Sequence, residues 1–284
     1  RNSSAPYGGG YAAFGFGGCD FLGTCTVADN SAGVIGGGVY VGDDAQVVLH
    51  NCTIARNTAA STAGGVAISS RGNVSLTGSS SVMDNRCAAA GGGFSVTGTA
   101  TLAVSNSRIT RNRAATGGGV SVAGNSHATF DFTAVVGNVA KLSGGGIAAS
   151  VMGSVGNTNC EFAHNSAGVG GALSSSSGAA WSLRACHFTS NRANGTGGAA
   201  LASMSSPMRF SDSTFENNTA LDDGGGVHVG ASTHHHIVAA QTGTAIDLAW
   251  CLFLHNTAAG RGGAVSINSG AALVHIVGCS MESN

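Results

Sequence analysis

The sequence has almost no proline, little charge and few aromatic side chains. Among 284 residues there are 2 Pro, 9% Asp, Glu, Lys and Arg together, and 6% Phe, Trp and Tyr. An ordinary soluble chain is about 25% charged. Lys141 is the single lysine. Charge-driven disorder is excluded, because charge is scarce and 43% of the residues are hydrophobic, enough for a core. A net charge of −1 argues against a nucleic-acid partner, which needs a basic face to neutralise phosphates. No apolar run reaches the ~18 residues that cross a bilayer, so no membrane-spanning segment is expected. The N-terminus has no signal-peptide pattern, and the chain reads as a mature product or an excised piece. The scarcity of proline excludes collagen, although 47 residues are glycine, and these cluster in twos and threes.

What the sequence does contain is a repeat. Cys52-Thr-Ile-Ala-Arg-Asn57 followed by Gly64-Gly65-Val66 recurs as Ser107-Arg-Ile-Thr-Arg-Asn112 with Gly117-Gly118-Gly119-Val120. It recurs again as Cys160-Glu-Phe-Ala-His-Asn165 with Gly170-Gly171-Ala172-Leu173. The motif asparagines are Asn30, Asn57, Asn85, Asn112, Asn138, Asn165, Asn191, Asn218 and Asn256, with Asn2 and Asn284 in phase at the two ends. Most steps are 26 to 28 residues; the step from Asn218 to Asn256 is 38, so the coil at 219–256 is enlarged.

Three residues before each Asn stands an apolar residue, such as Val27, Ile54, Val135, Phe162 or Phe253. A second apolar column lies eight before it, and a third eight or nine after it. Each column sits in a short run of period-2 alternation, as in Val39-Tyr-Val41, and no stretch holds a helical period. About three short strands per ~27-residue coil describe an all-β chain, a parallel β-helix of about ten coils and a single domain over 1–284. Stacked coils about 4.8 Å apart make a rod of about 50 Å. The glycine runs suit a corner with positive φ and close backbone approach. The Asn column suits a second corner, because Asn tolerates the left-handed region and stacked amides can bond along the rod.

Phe162-Ala-His-Asn165 with Gly170-Gly171-Ala172-Leu173, Phe188-Thr-Ser-Asn191 with Gly197-Gly198-Ala199, Phe215-Glu-Asn-Asn218, and Phe253-Leu-His-Asn256 with Gly262-Gly263-Ala264-Val265 carry a family likeness. This pattern resembles the repeat of the chlamydial polymorphic membrane proteins, surface adhesins carried by autotransport. The resemblance implies a right-handed β-helix and a cell-surface or extracellular setting.

Cysteine fills the column five before the Asn in vertical pairs: Cys25 with Cys52, Cys160 with Cys186, Cys251 with Cys279. A ~4.8 Å rise lies inside the Cα window for disulfides, so inter-coil bonds are expected; the alternative is stacked buried thiols, since parallel neighbours point their Cβ atoms the same way. Cys87 sits in an Ala column and reads as a buried free thiol. Asn-x-Ser/Thr at Asn51, Asn73, Asn194 and Asn217 gives candidate N-glycan sites.

The acids are few. Asp43-Asp44 and Asp222-Asp223 lie too many coils apart to cooperate, and Asp84, Glu216 and Glu282, beside motif asparagines, are expected in solvent. No Cys/His zinc spacing occurs. No catalytic residue, metal or cofactor is therefore expected. His234, His235 and His236, in the long stretch of the enlarged coil from Gly230 to Asp247, form a possible binding loop. His50 and His228 are placed on outward strand positions. The expected role is a structural rod or filament subunit, with copies stacked head to tail. An adhesin whose turns bind a surface or carbohydrate ligand is the alternative, and a carbohydrate-active enzyme comes third.

Overall fold

The computed structural model describes residues 4–15, 19–230, 244–268 and 273–284. Among these, forty β-strands and no helix build four sheets of ten parallel strands. Each strand between the first and last of its sheet pairs with its counterparts one repeat earlier and one repeat later. This is the parallel solenoid that the repeat predicts, with about nine full turns between the first rung and the last. One rung consists of Ser31–Ile35 in the first sheet, Val39–Val41 in the second, Gln46–His50 in the third and Thr53–Ala55 in the fourth.

The sequence pattern gave three strands per coil, and the structure has four. The additional strand follows each motif Asn and is often only two residues long, as in Thr58–Ala59 and Arg86–Cys87. Two residues cannot display an alternation, so the hydrophobic pattern carries no sign of it.

The core is a stack of like residues. Val27 pairs with Ile54, Ile54 with Val82 and Val135 with Phe162, each in register across neighbouring rungs. Phe162, Phe188, Phe215 and Phe253 continue that column, with centroids 4.9, 4.7 and 4.6 Å apart and planes within 8°. The rung spacing sets that face-to-face separation.

Two corners shape each rung. At the glycine corner the first residue has positive φ, as at Gly36 (70°), Gly117 (60°) and Gly224 (71°), and Ala63 accepts the same conformation at 55°. The second position is glycine for a different reason. A Cβ at Gly198 would collide with the carbonyl of Gly225 and the backbone of Thr219 on the next rung. Gly37 is likewise pressed against Gly64 and Thr58. The third position tolerates a side chain, and Ala172, Ala199 and Ala264 occupy it. Because Thr58 and Gly64 both touch Gly37, the segment between each Asn and its glycine pair closes on itself. Ala32, Ala59 and Cys87 pack together inside this excursion, apart from the main core.

The enlarged coil keeps its place in the stack. Asn218 still bonds Asn256 across 38 residues, and Val227–Val229 and Ala245–Ala249 pair in register on both sides. The extra residues enter between the second and third sheets. Ala245, Ile246 and Asp247, assigned to the loop by the sequence pattern, begin the third-sheet strand.

Candidate functional site

The asparagine corner is the most regular polar feature. Asn57 Oδ1 accepts from the backbone N–H of Asn30 and from its Nδ2, both at 3.0 Å. Asn57 Nδ2 in turn donates to Val27 O at 2.9 Å and to Asn85 Oδ1 at 3.0 Å. The same links continue through Asn85, Asn112, Asn138, Asn165, Asn191, Asn218 and Asn256 to Asn284. Every amide in the interior of the ladder uses both its donors and its acceptor, so burial leaves none of them unsatisfied. The asparagines do not take the left-handed conformation expected of them. The residue before each one does, including Asp29, Arg56, Asp84, Arg111, His164, Ser190, Asn217 and His255, at φ 52–59°. That twist turns the preceding side chain outward and leaves the Asn side chain to bond along the axis.

The outward column so formed carries ion pairs between rungs. Arg56 grips Asp29 at 2.7 and 2.8 Å, and Arg111 grips Asp84 at 2.9 Å on both oxygens. Asp84, expected to be merely solvated, is thus paired, because the column places an arginine directly above it. Glu216 accepts from Asn217 Nδ2, and Glu282 from Ser280 Oγ. Arg71 likewise binds both oxygens of Asp44 and holds that carboxyl below the usual carboxylate range. Asp223 is buried and accepts the backbone N–H of Arg261 at 2.7 Å. Both members singled out from the acidic doublets therefore serve turns.

The cysteine column has a bonding logic of its own. Ser107, Thr133 and Ser213 donate to the carbonyl two residues back, at 2.7, 3.0 and 2.8 Å. Cys160, Cys186, Cys251 and Cys279 place their thiols on the same carbonyls, at 3.2, 3.3, 3.5 and 3.5 Å. The column therefore selects a small donor as well as a small volume. Cys25 and Cys52 form a disulfide with Cα atoms 4.6 Å apart. The pairs Cys160/Cys186 and Cys251/Cys279 are free thiols, stacked as the alternative reading describes. Cys186 beside it and burial hold the Cys160 thiol far above its ordinary value, and burial pushes Cys251 up to about 12. Cys87 is a buried free thiol, also raised by burial.

The candidate glycan acceptors Asn51, Asn73, Asn194 and Asn217 are all exposed, Asn51 and Asn217 at left-handed corner positions. His234, His235 and His236 lie outside the described residues. His228 is fully buried rather than near the surface, and His50 Nδ1 lies 3.0 Å from Thr77 Oγ1. No group of three His, Cys, Asp or Glu is placed to hold a metal ion among the described residues.

One concave feature was not anticipated. A groove of about 530 Å³ runs over the first sheet and is lined by Arg86, Arg113 and Lys141, with Ala59, Ala88 and Ala115 among its small residues. Arg86 and Arg113 are in-register neighbours on adjacent rungs. A register shift between Ala114 and Thr116 accompanies the longer strand Val139–Ser143, which carries Lys141. The signal was present in the sequence: arginine follows the motif Asn in two consecutive repeats, and once more as Arg192, where Ser31, Thr58, Val139 and Ser166 stand in other repeats.

Residues 9–135 and again 92–284 match the family described as "Right handed beta helix region". No curated protein matches the chain. A solved structure described as a TibC-catalyzed hyper-glycosylated TibA fragment covers 96% of this chain and 100% of its own, at 15% identity and a TM-score of 0.21.

Proposed function

The chain belongs to the right-handed β-helix family, and from that premise we propose that it is a structural rod of an extracellular assembly in which copies stack head to tail. The uniformity of the stack carries this reading: four parallel sheets run rung over rung in one register, and the asparagine ladder bonds each rung to the next. Each rung added to such a stack removes apolar side chains from water and pairs backbone groups with its neighbours. Heterologous contacts of this kind do not close and give fibres. The Cys25–Cys52 disulfide supports an oxidising, extracellular setting, and the exposed sequons are compatible with it.

The test is electron microscopy of the concentrated protein. Fibres with an axial repeat of about 48 Å are expected. Separate short rods at every concentration would overturn the stacking reading. They would favour the second reading, an adhesin-type rod that binds a surface through its turns. The observation behind that reading is the set of apolar side chains held out on turns, Phe132 and Trp250 being 59% and 67% exposed. No catalytic role enters either reading. Turnover of a polysaccharide that Asp222→Asn abolishes would contradict both.

A further inference from the structure

Three of the twelve basic residues of the chain line one groove. Arg86, Arg113 and Lys141 are exposed and make no ion pair among the described residues, unlike Arg56, Arg71 and Arg111 close by. Two guanidiniums stacked on adjacent rungs repel each other unless an anion lies between them. The acid nearest in sequence, Asp84, is already held by Arg111. Cys87, also part of the lining, adds no negative charge, because burial keeps its thiol protonated. The remaining lining is mostly alanine methyl groups, and no aromatic ring lies in it to stack a nucleobase. A groove of this volume falls within the range of small-ligand sites.

We propose that this groove binds an anionic glycan, its carboxylate or sulfate groups held by Arg86, Arg113 and Lys141 and the apolar face of a sugar ring laid over Ala60, Ala88 and Ala115. Arginine presents a planar fork that meets such an oxyanion through two parallel hydrogen bonds. The alanines leave room for a ring and offer it a shallow apolar floor. The site does not depend on stacking, since all its residues lie within one copy and away from the last rung. A failure here would leave the filament reading standing, and the converse also holds.

The test uses the full chain, diluted below any fibre formation, in calorimetric titrations. The probes are a sulfated oligosaccharide derived from heparin, an oligogalacturonate, neutral maltooligosaccharide and a single-stranded oligonucleotide. Saturable binding of one or both anionic sugars, weakened by salt, is expected, with none of the neutral sugar; which of the two binds identifies the anionic group. Arg86→Ser and Arg113→Ser are each expected to weaken binding about tenfold. Serine is compatible with the fold there, because Ser31 and Ser166 occupy the same column. Arg192→Ser, in that column but outside the groove, is expected to change nothing. The proposal is overturned if neither anionic sugar binds, if the neutral sugar binds equally well, if Arg192→Ser costs as much as Arg113→Ser, or if the oligonucleotide binds more tightly.

Discussion

Replacing Asn165 with alanine removes four hydrogen bonds at once. Asn165 Oδ1 accepts from the N–H and Nδ2 of Asn138, and its own Nδ2 donates to Val135 O and Asn191 Oδ1. The groups left behind are buried, and each orphan costs about 1–3 kcal/mol. Asn165→Ala is therefore expected to lower stability by about 3–5 kcal/mol, read as a fall in the urea midpoint. The thiols give a pH signature of opposite character. In the unfolded chain Cys251 ionises near ~8.5, whereas burial lifts it to about 12 in the folded one. Between those values the folded state holds a proton that the unfolded state has lost, so stability falls as pH rises. The contribution is fully present below about pH 8.5 and disappears toward about pH 12. A melting temperature that declines in this window, and declines less steeply in Cys251→Ser, is the expected outcome. Serine keeps the hydrogen bond to the carbonyl of Ala249, as Ser213 does to that of Ser211.

At the scale of the element, the glycine corner separates two demands that look alike in sequence. Gly198→Ala drives a Cβ into the backbone of the neighbouring rung, and no side-chain adjustment relieves it. A loss of about 2–3 kcal/mol or more is expected from such overpacking. Ala199→Gly, one position on, is expected to cost less than about 1 kcal/mol. Thermal denaturation of the two variants side by side checks both. The sheets and their register were legible because stacking forces equivalent positions into equivalent environments: Val27 lies over Ile54 and Val135 over Phe162, and all belong to one inward column. The strand after the Asn was not legible, since Thr58–Ala59 and Arg86–Cys87 owe their pairing to the rungs above and below. The role of Asn was legible only in part. Its stacking followed from repetition, but the left-handed residue is its predecessor; Asp29, Asp84 and Asn217 favour that conformation, whereas Arg56 and Arg111 in the same place carry no local preference that announces it. The groove escaped because Arg86, Arg113 and Lys141 converge through a register shift that no single repeat records.

For the molecule as a whole, each rung touches only its neighbours, so stability is a sum of rung terms and interface terms. A rung inside the stack has both faces covered. Hydrogen exchange is expected to be slow over interior strands such as Phe94–Val96 and Ala180–Arg184, which bond to a rung on either side. Uniform protection along the chain would mean that the stack opens only as one unit.

The amide ladder, the sheet hydrogen bonds and the outer ion pairs all lie along the same direction, that of the axis. A force pulling one terminus away from the other therefore meets these bonds as the teeth of a zipper, opened one rung after another, rather than as bolts sheared together. Each rung released frees about 90 Å of slack chain. Under tension such a rod would lengthen in many small, nearly equal steps, absorbing work gradually where a stiffer tether would snap.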